Sequence, residues 1–278
     1  MANNASNPIP DFDTTPGCYL TNYLVAVVSL YFAVRFYRKN RLIDLGQDLD
    51  QDSEKRKNSW QLNRKLVLYS LSFTNTLCAL SLISAAIVHA HFNFKGTTGN
   101  KLFWKLAQMF IALAFPFYFS SPLLFVFKMT NFSLARKIGG VGLAFGGLFA
   151  IEEFIWEGLT FAIVLPLSYL LLGIFGVLPT VRMVMWKKSK EQETATNTLG
   201  YYDYFTNRGL TFKPFTFYLS IFFLLSTFIA YVNIRPLCSQ DFVEHTNNCP
   251  FPDWFNHNAV LHSSILIGMV GLNLAYSE

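Results

Sequence analysis

Five histidines carry most of the chemistry open to this chain: His89, His91, His245, His257 and His262. Neutral imidazole is a common zinc ligand, and three imidazoles with one open position make a catalytic zinc site. Zinc held in this way lowers the pKa of its bound water toward about 7 and so supplies a nucleophile at neutral pH. The best-placed set is His89, His257 and His262, with His91 in reserve. Glu152, Glu153 and Glu157 cluster on one segment, and Glu153 and Glu157 are one helical turn apart, so either could act as general base beside a metal-bound water. Ser84 precedes His91 by seven residues on the same stripe and could donate to a substrate oxygen. Each group also has a plainer use. The histidines can stay wet at a membrane interface, the glutamates can cap a helix end, and a membrane serine commonly bonds its own helix backbone. The spacing also sets a condition. His257 and His262 are five apart, which turns them about 140° from one another on a regular helix. They face one ion only if His257 precedes the first turn or the helix is distorted. Asn258 and His262, four apart, share a face.

These residues must be held by membrane helices. Hydrophobic residues make up 52% of the 278, and charged residues only 14%. A soluble globule carries about 25% charged residues, so a water-soluble fold could not cover its surface here. Apolar runs at about 19–37, 66–92, 103–127, 138–156, 159–180, 213–233 and 257–276 each approach or exceed the ~20 residues that cross a bilayer. The expected fold is therefore all-α: an outer tail over 1–18, then a bundle of seven transmembrane helices over 19–276. The fourth run is the shortest, with a glycine-rich core at Gly139–Ala150 that would also suit a re-entrant segment.

Charge orients the bundle. With the N-terminus outside or lumenal and the C-terminus cytoplasmic, the inner loops hold 17 Lys and Arg and the outer segments 3. The positive-inside rule predicts that asymmetry. Trp104, Trp156, Trp186 and Trp254 fall at predicted helix ends, where an indole ring can keep its N–H wet. The basic residues sit in loops between apolar runs, which gives no nucleic-acid signature. The first 18 residues lack a basic n-region and a long apolar core, so the first helix is expected to serve as the membrane signal.

Smaller features follow from this topology. Cys238 and Cys249 share the last outer loop, on an oxidising face, and are expected to form a disulfide that pins the start of the seventh helix. Cys18 lies on the same side as a competing partner, and Cys78 is buried in the second helix. Asn4 opens an Asn-Ala-Ser glycosylation sequon on the outer side. Residues 44–57 run from acidic to basic and read as a flexible cytoplasmic linker. Gly142 and Gly146 form a small-xxx-small step for close helix packing within the bundle or for self-association. Lysines in 187–200 can meet anionic headgroups, so membrane lipid is an expected partner.

Phe255-Asn-His-Asn-Ala-Val-Leu-His262, followed by Ile267-Gly-Met-Val-Gly-Leu272, resembles a group of uncharacterised, mainly bacterial seven-helix proteins. Ala85-Ala-Ile-Val-His89-Ala-His91-Phe92 and Leu102-Phe-Trp-Lys-Leu106 look similar as well. More distantly, the layout resembles the superfamily of alkaline ceramidases and progestin/adiponectin receptors. That resemblance implies seven helices, three zinc-binding histidines and hydrolysis of amide bonds in lipids. Carried over, the ligands are His89, His257 and His262, with Ser84 beside them. The chain departs from that pattern in two ways. The seventh-helix histidines and the Ser-to-His pair are spaced more widely than in the superfamily, and residues 103–127 contain no acid.

Two functional classes result. One is a zinc-dependent membrane hydrolase acting on a lipid. The other is a non-enzymatic seven-helix receptor, transporter or scaffold. Within the second class, a retinal protein is disfavoured because 257–278 has no lysine, and a rhodopsin-like receptor because Phe127-Lys-Met-Thr130 stands where Asp-Arg-Tyr is usual.

Overall fold

The helices bury polar side chains within an otherwise apolar interior and turn large apolar side chains outward. On the first helix, Asn22, Ser29 and Asn40 are buried, while Leu20, Leu24, Val27, Tyr31 and Val34 are exposed. The second repeats the pattern, with Ser70, Thr74, Asn75, Ser81, Ser84 and His89 inside and Tyr69, Phe73 and Leu80 outside. Exposed apolar side chains on that scale are costly in water and cost nothing against hydrocarbon, whereas the polar groups gain by turning inward.

A computed structural model describes residues 15–45, 54–92, 94, 97–126, 212–240, 244–245 and 249–276, together with single helical positions between 140 and 181. Five long helices account for nearly all of the continuously described chain: α1 (Pro16–Leu45), α2 (Glu54–His91), α3 (Thr98–Val126), α4 (Pro214–Cys238) and α5 (His257–Leu274). Apart from a two-residue antiparallel pairing of Ser239–Gln240 with Glu244–His245, the described fold is helical. Pro16–Arg41, Arg64–His91 and Pro214–Cys238 are long and apolar enough to cross a membrane. A helix of 25 residues spans about 37 Å, more than the hydrocarbon needs.

Several helices outrun the apolar runs that identify them. α1 continues through Asp44 and Leu45, and α2 already includes Glu54–Lys57, so both ends of the expected 44–57 linker are helical. Charged straight-chain residues are good helix formers. α4 runs five residues past the expected 233 and passes through Pro236.

The contacts give each helix a direction. Ser72 Oγ donates to Ala33 O at 2.9 Å, and Val25 packs with Leu77 and Cys78, so α1 and α2 are antiparallel. Phe92 stacks on Phe103 with ring centres 5.4 Å apart, and Ser120 Oγ donates to Ser70 Oγ at 2.8 Å, so α2 and α3 are antiparallel. Lys213 N donates to Ala275 O at 2.8 Å, while Tyr231 stacks on His257, so α4 and α5 are antiparallel. α5 also runs against α2. Asn75 Nδ2 donates to Asn273 Oδ1 at 2.7 Å, and Asn273 Nδ2 returns a bond to Asn75 Oδ1 at 3.0 Å. Two apolar clusters fill the space between these polar contacts. One joins Phe36, Leu68, Phe217, Ile221 and Leu272, and the other joins Val25, Leu77, Cys78, Ala114 and Met269.

Between α3 and α4, described helical positions from Leu170 to Val181 lie against α4. Gly176 meets Phe217, Gly173 meets Ile221, and Thr180 Oγ1 lies 3.5 Å from Tyr218 Oη. Rising numbers here meet falling numbers in α4, so this segment is antiparallel to it. Gly142 and Gly146 of the fourth expected span lie outside the described residues.

Candidate functional site

The first turn of α5 explains the spacing of its histidines. Asn256 caps the helix, and its Oδ1 accepts from Asn258 N at 3.1 Å and Ala259 N at 3.0 Å. An asparagine there satisfies backbone N–H groups that the first turn leaves without helical partners. His257 is therefore the first residue of a regular helix, and His262 points away from it as 3.6-residue geometry requires. His257 goes to α4, where its ring stacks on Tyr231 with centres 5.5 Å apart. His262 goes to α1 and α2.

There His262 meets His89, with ring centres 6.4 Å apart, and both rings are buried. His89 also stands edge-on to Trp104 of α3 at 5.7 Å. The third contributor is Cys18 of α1, wholly buried, whose Sγ lies 3.9 Å from His262 Nδ1. Asn258 Nδ2 donates to the same sulfur at 3.4 Å, which uses the shared face of Asn258 and His262. The backbone of Trp254 and the ring of Phe255 press against Gly17, where a Cβ would lie 2.6 Å from Trp254 O. A glycine is thus needed for the α5 approach segment to close over α1. One turn along α1 from Cys18, Asn22 is wholly buried, and neither amide atom has a hydrogen-bond partner.

The other expected site residues are placed as follows. Ser84 is buried five residues before His89, and its hydroxyl donates to Leu80 O at 2.9 Å, the plain helical use. His91 is the exposed last residue of α2, and His245 pairs with Ser239 in the short ladder. Glu153, Glu157 and Asn4 lie outside the described residues. Cys238 and Cys249 form the expected disulfide, with Cα atoms 4.3 Å apart, and it ties the end of α4 to the chain leading into α5. Among the described residues, no three His, Cys, Asp or Glu side chains stand close enough as placed to hold a metal ion.

Cys18 and Asn22 are the site residues that sequence reasoning missed. In the sequence Cys18 stands out only as a competing disulfide partner. The one signal for Asn22 is a polar residue four positions later in an apolar run, a spacing that puts both on one face.

Comparison with family models, with curated protein sequences and with solved structures gives no match. The reading of the site therefore rests on its own geometry.

Proposed function

We propose that this chain is a seven-span membrane protein, N-terminus outside and C-terminus cytoplasmic, whose outer end holds a metal-binding histidine centre that hydrolyses a lipid amide or ester. The observation that carries the reading is the meeting of buried His89 and His262, brought together from the second and last described helices. Ionisable side chains turned into the interior of a membrane bundle commonly mark a functional site. The fit to zinc is partial. His89 and His262 are suitable donors side by side, whereas His257 is engaged with Tyr231 on another face. Zinc bound there would polarise a carbonyl and supply a hydroxide nucleophile. The chain's own part is to bury the two imidazoles between α1, α2 and α5 and to keep bulk water from them. The superfamily resemblance supplies the lipid amide as substrate.

The topology is supported by three independent features. Lys and Arg concentrate at the end where α1 finishes and α4 begins. The disulfide stands at the opposite end, where an oxidising compartment would form it. α3 finishes and α4 begins at one end of the bundle, so the chain between them crosses an even number of times, and the described positions from Leu170 to Val181 run antiparallel to α4, toward that end.

A non-enzymatic receptor, transporter or scaffold is the second reading, favoured by the Ser84 hydroxyl being spent on its own helix. Metal analysis of the purified protein, paired with release of fatty acid from a fluorescent ceramide, separates the two. The hydrolase reading expects about one zinc per chain, and loss of both metal and product on His262→Ala. Full metal occupancy with no turnover on lipid amides or esters leaves the second reading.

A further inference from the structure

The outward face of α1 changes character along its length. Leu20, Leu24, Val27, Tyr31 and Val34 recur at alternating steps of four and three residues, and all five are exposed. Steps of that kind stay on one side of a helix. The next two places in the series are Arg38 and Arg41, which are exposed as well. We propose that this stripe binds one anionic phospholipid, with its acyl chains along the apolar part and its phosphate held by Arg38 and Arg41. Arg35, half-buried and one step of three before Arg38, flanks the headgroup. The inference concerns the lipid-facing side of the molecule and is independent of what the buried histidines do.

Depth, aromatic flanking and charge agree on this occupant. From Leu20 to Arg38 the helix axis rises about 27 Å, close to the thickness of the hydrocarbon layer. An apolar stripe of that length ends where the headgroups begin. Tyr37, exposed, stands next to Arg38. Ser72 of α2 bonds Ala33 of α1, which puts Tyr69, also exposed, level with Phe36. Two exposed tyrosines at one level mark a membrane–water interface, and Arg38 stands at it. The charge of the arginines is unanswered from within the spans, because neither Pro16–Arg41 nor its neighbour Arg64–His91 contains an Asp or Glu. A guanidinium presents a planar fork that two phosphate oxygens can accept together. Arg35, Arg38 and Arg41 follow one another over about 9 Å of axis, so two of them can reach one phosphate. Charge also decides against a second copy of the chain on this stripe. Copies in one membrane share one orientation, so the partner would bring its own arginines against Arg38 and Arg41, and like charges repel. A lipid with a net negative headgroup answers the charge and covers the apolar stripe at once.

Native mass spectrometry of the full-length protein in detergent micelles tests this, with phosphatidylglycerol and phosphatidylcholine of the same acyl chains as the probes. The expected result is one phosphatidylglycerol retained per chain, at about tenfold lower lipid concentration than phosphatidylcholine requires. Arg38→Gln with Arg41→Gln should abolish that preference. Both side chains are exposed, so their replacement leaves the packing of α1 intact. Arg136→Gln with Lys137→Gln removes the same charge from another basic loop and should keep the preference. Equal retention of the two lipids by the native protein overturns the proposal without any variant. Equal loss of the preference in the two double variants overturns it as well, since binding would then follow total charge rather than this stripe. A dimer that grows in Arg38→Gln with Arg41→Gln would give the stripe to a second copy and overturn it too.

Discussion

At the scale of single residues, the interior is held by polar pairs whose worth depends on having no water to fall back on. The reciprocal amide pair of Asn75 and Asn273 is the clearest. Each side chain also donates back to its own helix, Asn75 to Leu71 O at 2.8 Å and Asn273 to Met269 O at 2.9 Å. The shared amide hydrogens and oxygens therefore fix both rotamers and the register of α2 against α5. Replacing one asparagine by alanine strands a buried amide, a loss of about 1–3 kcal/mol. The double-mutant cycle of Asn75→Ala and Asn273→Ala should return a coupling of about 1 kcal/mol, within the range measured for membrane helix contacts. Reversible unfolding of the purified protein in mixed micelles checks it. A coupling indistinguishable from zero would mean that the pair is incidental to the packing.

At the scale of helices, α4 and α5 approach through small residues. A Cβ on Gly268 would run into the Leu224 side chain, and one on Gly271 into the Ser220 hydroxyl. The two obstacles differ. Ser220 Oγ is one atom able to rotate, although it would give up its 2.7 Å bond to Thr216 O. Leu224 meets the added carbon with Cγ as well as its methyl groups, and it is buried in the core. Gly268→Ala is therefore expected to destabilise by about 1–3 kcal/mol as overpacking. Leu224→Ala in the same chain should recover part of that loss, because it vacates the space the new methyl needs. Thermal unfolding of the two single variants and the double variant tests this, and a strictly additive double variant would refute it. The disulfide acts on the same pair of helices. It closes a loop with a sequence separation of 11, and its removal by Cys238→Ser with Cys249→Ser should cost roughly 2–3 kcal/mol.

At the scale of the whole molecule, the helix directions and the charge distribution agree. α1, α3 and α5 run one way and α2 and α4 the other. Cys18, His89, His262 and the disulfide gather at the end poor in Lys and Arg. An epitope added after Glu278 should be reached by antibody only after permeabilisation, and one inserted within 187–200 should behave alike. An epitope placed before Met1 should be reached in intact cells or sealed lumen-out vesicles. Accessibility of the C-terminal epitope without permeabilisation would reverse the orientation, and with it the compartment that the His89–His262 pair faces.

The sequence alone pointed to a membrane as the solvent of this protein, and three of its helices are long and apolar enough to cross one. Too few charges to cover a soluble surface, apolar runs of bilayer length, and basic residues confined to alternate loops are one-dimensional patterns, because the bilayer acts on each segment separately. The Cys238–Cys249 bridge was legible for a similar reason, since both cysteines share one short loop. His89 and His262 could be matched in depth from their distances to helix ends, which are counted along the chain. Which side chains meet at that depth could not be counted. The rotation of each helix about its axis is set by packing, and here Gly17, Gly268 and the Asn75–Asn273 pair set it. That rotation sends His257 to Tyr231, and it brings Cys18 to His262 across 244 positions. A ligand set is a statement about rotation as well as depth, so only the tertiary structure could put Cys18 beside His262.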